Sequence, residues 1–216
     1  MKNLVIVESP TKSKTIEKYL GSDFRVLATV GHFRDLSEKN GVDVDNDFAL
    51  NYAVDQDKVK ILKEITGAVA DCDSLLLATD PDREGEAIAW HLHEYLLQKG
   101  ALPADKTVQR VVFHEITQRA VKAAFQEPRQ IDQNLVDAYQ ARRALDRLFG
   151  FEISTVLRHK LPGTRSGGRV QSPSLRLICE REEEIENFVP QEYWTVETSL
   201  KTEKGQTLEA QLTHLN

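Results

Sequence analysis

Residues Ser74 to Leu92 read SLLLATDPDREGEAIAWHL, an apolar run followed at once by Asp80, Asp82, Glu84 and Glu86. The run from Leu75 to Ala78 has the length and composition of a buried strand. Four carboxylates crowded just after it repel one another, and burying them costs more still. Arg83 supplies one positive charge, which does not offset four negative ones. The group is therefore either fully solvated or the holder of a divalent cation. Asp80 and Asp82 are two residues apart, so in extended chain they point the same way. Pro81 removes a backbone donor and stiffens the turn, and Glu84 begins a helix with Ile88, His91, Leu92, Tyr95 and Leu96 at helical spacing. Hard oxygen ligands with open positions suit Mg²⁺, which takes one or two carboxylates, waters and substrate phosphate. The plainer alternative is that Asp80, Asp82 and Glu84 cap a helix, since acids favour helix N-termini.

Around this stretch the pattern alternates. Strands are expected at Asn3–Val7, Phe24–Val30, Ser74–Thr79 and Thr107–Phe113. Helices are expected at Thr11–Leu20, Asp57–Val69, Glu84–Gln98 and Thr117–Phe125. Residues 38–51 are polar and rich in Asp, Asn and Gly, and read as a loop. Alternating strands and helices predict an α/β fold with a mainly parallel sheet and helices on both faces. In such sheets ligands gather beyond the carboxyl ends of the strands. The first strand ends in ESPTK, which places Glu8, a hydroxyl and Lys12 just before a helix, where backbone N–H groups suit a phosphate; an ordinary Ser cap beside a solvated lysine is the alternative. The second strand leads into VGHFRDL, which puts His32 and Arg34 on the same edge.

The pattern changes near Glu127-Pro128. Asn134–His159 reads as one long helix or two joined ones, and Leu161–Gly168 as a flexible basic loop. Ser172–Phe188 reads as a helix with an acidic, solvated face, and Tyr193–Lys201 with Gln206–Leu212 as two strands. Of the 216 residues, 40% are hydrophobic and 29% charged, the profile of a soluble globular protein. Cys72 and Cys179 stand in no metal-ligand spacing, which argues against a zinc knuckle or disulfide scaffold and for a reducing compartment. The apolar run near Met1 is too short for a signal peptide, and no stretch approaches the roughly 20 apolar residues of a membrane span. A cytoplasmic monomer is expected. The net charge of −6 argues against a nucleic-acid partner only until its distribution is read. Between Tyr139 and Arg176 stand Arg142, Arg143, Arg147, Arg158, Lys160, Arg165, Arg169 and Arg176 against Asp146 and Glu152, a local +6. A basic segment on an acidic body suits a polyanion on the segment and cations on the body.

VIVESPTKSKTI, GHFRDL, ATDPDREGEAIAWHL, RVVFHEIT, YQARRALDRLFG and SGGRVQSPSLRLICEREEEIENFVPQEYW occur in this order. Together they resemble the N-terminal part of the bacterial type IA DNA topoisomerases, of the topoisomerase I kind. The DPDREGE motif alone resembles any Toprim domain, which primases and some nucleases share; YQARRALDRLFG and GGRVQS are more specific. The resemblance implies a Toprim domain over 1–128, a helical single-stranded-DNA-binding segment over 129–190 and the incomplete start of a strand-rich arch over 191–216. It implies an isomerase that relaxes negatively supercoiled DNA by Mg²⁺-dependent single-strand cleavage, strand passage and religation. By the same resemblance Glu8 is the general acid/base at the scissile phosphate. Asp80, Asp82 and Glu84, with Glu8, hold Mg²⁺. Lys12 contacts that phosphate, and Arg83 belongs to the same catalytic motif. His32 and Arg34 lie in a loop near the active site; Arg142, Arg143 and Asp146 line the DNA groove, with Arg169, Gln171 and Ser172 beside it. The family's nucleophilic tyrosine sits in a Tyr-Met-Arg-Thr-Asp-like context, which none of Tyr19, Tyr52, Tyr95, Tyr139 and Tyr193 shares. This chain by itself is therefore expected not to relax DNA. Two other readings stand beside this one: a free-standing Toprim nuclease or primase-like enzyme, and a non-catalytic single-strand binder.

Overall fold

The computed structural model describes residues 3–103, 106–161, 163 and 166–213. The chain forms two compact units, Met1–Arg169 and Val170–Asn216. The expected boundaries at 128 and 190 follow changes of sequence pattern and divide the chain differently.

The first unit is built on a four-stranded parallel sheet. Its strands are β1 (Asn3–Val7), β2 (Phe24–Ala28), β7 (Ser74–Leu77) and β8 (Thr107–Arg110), in the order β2-β1-β7-β8. Pairing sets Val5 opposite both Val26 and Leu76, and Leu77 opposite Arg110. Successive side chains of a strand face opposite sides, and β1 shows both destinations. Leu4 and Ile6 pack with Leu62 and Ile65 of α2 (Val59–Ala70) and with Ile88, Leu92 and Leu96 of α3 (Arg83–Gln98). Val5 and Val7 pack on the other face with Ile16 of α1 (Pro10–Leu20) and Val121 of α4 (Gln118–Ala124). The α/β architecture is the expected one.

Several elements differ from expectation. Strand β2 stops at Ala28, because Val30 and Gly31 both turn into the left-handed region, at φ 59° and 78°. Strand β8 stops at Arg110, whose backbone exchanges hydrogen bonds of 2.7 and 2.8 Å with Arg129. Residues 34–54 hold two small antiparallel pairs: β3 (Arg34–Leu36) with β6 (Tyr52–Val54), and β4 (Val42–Asp43) with β5 (Ala49–Leu50). Strands of two or three residues are too short to show alternation. The helix expected near 134–159 is one continuous element, α5 (Gln133–Lys160), capped by Asp132 and packed on α3.

The second unit holds α6 (Gln171–Glu186) and the antiparallel pair β9 (Glu197–Lys201) and β10 (Thr207–Gln211). Ion pairs along α6 join Arg176 to Glu180 and Arg181 to Glu184, each at 2.6 Å. Among the described residues no helix is long and apolar enough to cross a membrane.

Candidate active site and basic cleft

The four carboxylates after β7 part company. Glu86 turns inward and is fully buried, as is Arg110, whose Nε donates to it at 3.1 Å. Arg129 donates to both Glu86 oxygens, at 2.9 and 2.7 Å, and the Asp132 N–H donates at 2.7 Å. Burial raises the Glu86 pKa, but the Arg129 and Asp132 hydrogen bonds and the two guanidinium charges outweigh it and hold the pKa below the ordinary value. Arg110 also gathers the end of β7: it donates to the carbonyls of Leu77 (2.9 Å), Thr79 (2.8 Å) and Asp80 (2.6 Å). The backbone that carries Asp80 is thus tied to a charge beneath it.

Asp82 caps α3, its Oδ1 accepting the Gly85 N–H at 2.8 Å. The cap reading of the sequence applies to this residue. Gly85 lies so close to the turn that a Cβ there would stand 2.2 Å from the Asp80 carbonyl oxygen. Asp80 forms an ion pair with Lys12, and its backbone N–H donates to Glu8 Oε1 at 2.8 Å. Glu84, exposed on the first turn of α3, bonds His32 Nε2 at 3.0 Å. Arg83 is exposed beside it. Helix α1 starts at Pro10 with Ser9 as its cap, Oγ accepting from the Lys12 N–H at 3.3 Å, which places Lys12 over the strand edge.

The structure therefore brings Glu8, Lys12, Asp80, Asp82, Glu84 and His32 to one sheet edge. Glu8 is half-buried. Its pKa is raised by burial and by the charges of Asp80 and Asp82, against the lowering by the Asp80 N–H and Lys12. Among the described residues no three His, Cys, Asp or Glu side chains stand close enough together to hold a metal ion as placed. The donor set still fits a hard divalent cation. It is all carboxylate oxygen, and the ammonium of Lys12 already stands against Asp80.

His32 lies parallel to the ring of Tyr139 from α5, with centroids 5.7 Å apart. Tyr139 is buried, and burial above all pushes its pKa up to about 12. Arg34 reaches the face of Tyr52, 4.9 Å from the ring centre. Tyr52 in turn meets His91, which is 1% exposed. Burial, then the charges of Arg34 and His32, push the His91 pKa down to about 3.

Above this edge α5 carries its arginines along a cleft of about 360 Å³ lined by Asp35, Arg143, Asp146, Arg147, Phe151 and Arg158, among others. The arginines already hold acceptors. Arg143 pairs with Asp35, Arg147 donates to the Glu38 carbonyl and covers the Phe151 ring at 4.3 Å, and Asp146 binds Arg169 (2.6 Å) and Arg142 (3.7 Å). Gln171 and Ser172 open α6 in the second unit. Arg165 of the basic loop lies outside the described residues.

The sequence reading missed Arg110, Arg129 and Tyr139. One signal was available for Arg110: an arginine inside the strand TVQRVVF calls for a buried acid, and of the four crowded acids Glu86 is the one that lies furthest into the helix that follows them.

A family model described as Toprim domain matches residues 3–116, and one described as DNA topoisomerase matches 130–215. Proteins named DNA topoisomerase 1 are similar along nearly the whole chain. That of Zymomonas mobilis is 56% identical over 201 residues, covering 93% of this chain and 16% of the relative. That of Xylella fastidiosa (strain Temecula1) is 55% identical over 216 residues, covering 100% and 26%, and that of Rickettsia felis 50% identical, covering 99% and 28%. The solved structure of full-length topoisomerase I from Thermotoga maritima superposes with a TM-score of 0.77 at 39% identity, covering 99% of this chain and 35% of that one. The chain thus spans between 16% and 28% of the curated relatives just named. With a Toprim domain over more than half its residues and a topoisomerase region behind it, the chain belongs to the bacterial type IA DNA topoisomerase family.

Proposed function

We propose that this chain supplies the acid–base and metal site, and part of the DNA groove, of an enzyme that relaxes negatively supercoiled DNA through a transient single-strand break. The observation that carries this reading is the placement of Glu8, Lys12 and Asp80 on one sheet edge that α5, with its arginine-lined cleft, also packs against through Tyr139. A cleft of that charge suits a phosphate backbone, and the acidic edge suits the bond to be broken.

In this reading a tyrosine outside the five of this chain releases its phenol proton to solvent, which returns it on religation, and attacks the phosphorus. The P–O3′ bond breaks, and the 3′ oxygen leaves with a proton. Glu8 gives that proton in this reading, which its raised pKa supports by keeping a larger protonated fraction than an ordinary carboxylate has. Religation returns the proton to Glu8. Lys12 holds charge against the phosphate once it leaves Asp80, and Arg83 stands exposed to do the same. His32 and Arg34 shape the loop beside the strand. Mg²⁺ bound by Asp80, Asp82 and Glu84, with Glu8, would neutralise charge on the phosphate oxygens. Arg142, Arg143, Asp146, Arg169, Gln171 and Ser172 serve the DNA strand. The enzyme is proposed to work as a monomer in the cytoplasm.

The test is a binding titration at several salt concentrations. The chain should prefer single-stranded DNA to duplex, with affinity roughly micromolar at low salt. Each phosphate neutralised adds about −0.7 to the slope of log K against log salt, so alanine at Arg142, Arg143 and Arg169 together should flatten it by roughly 2. Equal slopes for the two proteins would remove this segment from the DNA surface.

A further inference from the structure

Val30 combines two features that rarely meet. Its φ is 59°, in the left-handed region, and the residue is 41% exposed. A β-branched residue is strained there, and such strain persists only when the surroundings impose it. The surroundings do impose it. The Lys58 ammonium donates to the Val30 carbonyl at 2.7 Å, the Gly31 N–H to the Glu8 carbonyl at 2.9 Å, and the Thr29 N–H to the Val7 carbonyl at 3.0 Å. The turn is thus pinned on both sides, one pin being the backbone of Glu8 itself.

Glycine or asparagine would take this conformation with less strain. Burial does not explain the valine either, since much of it faces solvent. What valine adds at this position is an isopropyl group facing outward at the carboxyl edge of the sheet. The Lys58 ammonium stands on its carbonyl, and the next residue is bonded to the backbone of Glu8, which leads into the helix that carries Lys12. A single strand presents charged phosphates and apolar sugar and base faces, and a binding surface meets both kinds.

We infer that Val30 is a DNA-contact residue, its isopropyl group packing against a nucleoside next to the phosphate held at Glu8 and Lys12. This rests on the proposed function and adds to it an apolar contact at the sheet edge itself.

The experiment compares the wild-type chain with Val30→Asn, Val30→Gly and Val30→Ile. The probe is a mixed-sequence single-stranded oligodeoxynucleotide of roughly 12 nucleotides. Val30→Asn should raise Tm by about 2–4 °C through relief of strain. Val30→Asn and Val30→Gly should each weaken binding about fivefold through loss of apolar contact. The salt slope should stay unchanged, because no phosphate contact is removed. Val30→Ile should bind as wild type does. A residue that only shapes the fold would lose stability and affinity together, so a fall in Tm for Val30→Asn overturns the inference. Wild-type affinity in both Val30→Asn and Val30→Gly overturns it too. If the wild-type chain binds no single strand, the proposed function fails and this inference with it. If binding and its arginine dependence hold while the Val30 variants bind normally, the inference alone fails.

Discussion

Glu86 and Asp146 each hold two arginines, one pair in the core and the other at the surface. Glu86 and Arg110 have no exposed side-chain area, and Arg129 closes the group from the edge. Asp146, with Arg142 and Arg169, keeps about a third of each side chain in solvent. The chemistry is the same; the dielectric is not. In the core an unmatched charge has no water to turn to, so each partner is obligatory. At the surface water and salt compete, the pair contributes little, and an arginine can exchange its carboxylate for a phosphate. The inner group therefore fixes the acidic turn, and the outer one, in the proposed function, keeps a binding surface in reserve.

The largest effect should come from the inner group. Arg110→Met leaves Glu86 without its buried partner and frees the carbonyls of Leu77, Thr79 and Asp80. It should cost about 3–5 kcal/mol in urea unfolding. Glu86→Leu combined with Arg110→Met should cost less than the single change. A loss below about 1 kcal/mol for Arg110→Met would end the distinction between the two groups.

The next effect is acid sensitivity at His91. Its pKa is depressed in the fold, so its contribution to stability is present above the ordinary value of 6.5 and is lost as pH falls toward about 3, where only the unfolded chain takes the proton. Each pH unit in that window costs at most about 1.4 kcal/mol. His91→Phe should give a shallower fall of Tm between pH 6.5 and 4 than wild type does. Parallel curves would mean that another group titrates.

A smaller effect concerns the acidic edge. Asp80→Asn with Asp82→Asn should abolish the rise of Tm on adding Mg²⁺. Asparagine still caps a helix, so α3 is preserved. In metal-free buffer Tm should hardly move, because the lost Lys12–Asp80 pair offsets the relief of repulsion. An unchanged Mg²⁺ response would place the metal elsewhere.

The smallest effect belongs to the outer group. Asp146→Asn frees Arg142 and Arg169, and should tighten single-strand binding about threefold with no resolvable change in Tm. Weaker binding would show that Asp146 positions those arginines and does more than hold them in reserve.

Much of this was legible in the sequence, for physical reasons. Runs such as LVIV and SLLL are buried on both faces, and their strand identity needs no distant partner. The rule that ligands collect beyond strand ends then puts Glu8, Lys12 and Asp80 together. What depends on register was hidden. Glu86 meets Arg110 only because β8 pairs beside β7, and meets Arg129 only because that residue bridges back to Arg110. The stack of Tyr139 on His32 needs α5 to lie on α3. Asp82 could cap or ligate on sequence grounds, and only the turn around Gly85 shows its Oδ1 on a backbone N–H.

The carbonyls that converge on Arg110 also carry a message about order of assembly. Strand β8 is the last of the four in the chain and lies at the sheet edge, and parallel pairings across long crossovers form slowly. Until it docks, the carbonyls of Thr79 and Asp80 lack the Arg110 guanidinium, and Glu86 lacks its buried partner. The acidic edge is therefore completed late, with the sheet itself. A nascent or partly melted chain carries the residues of the acidic edge without their arrangement, so incomplete folding would disarm the proposed site.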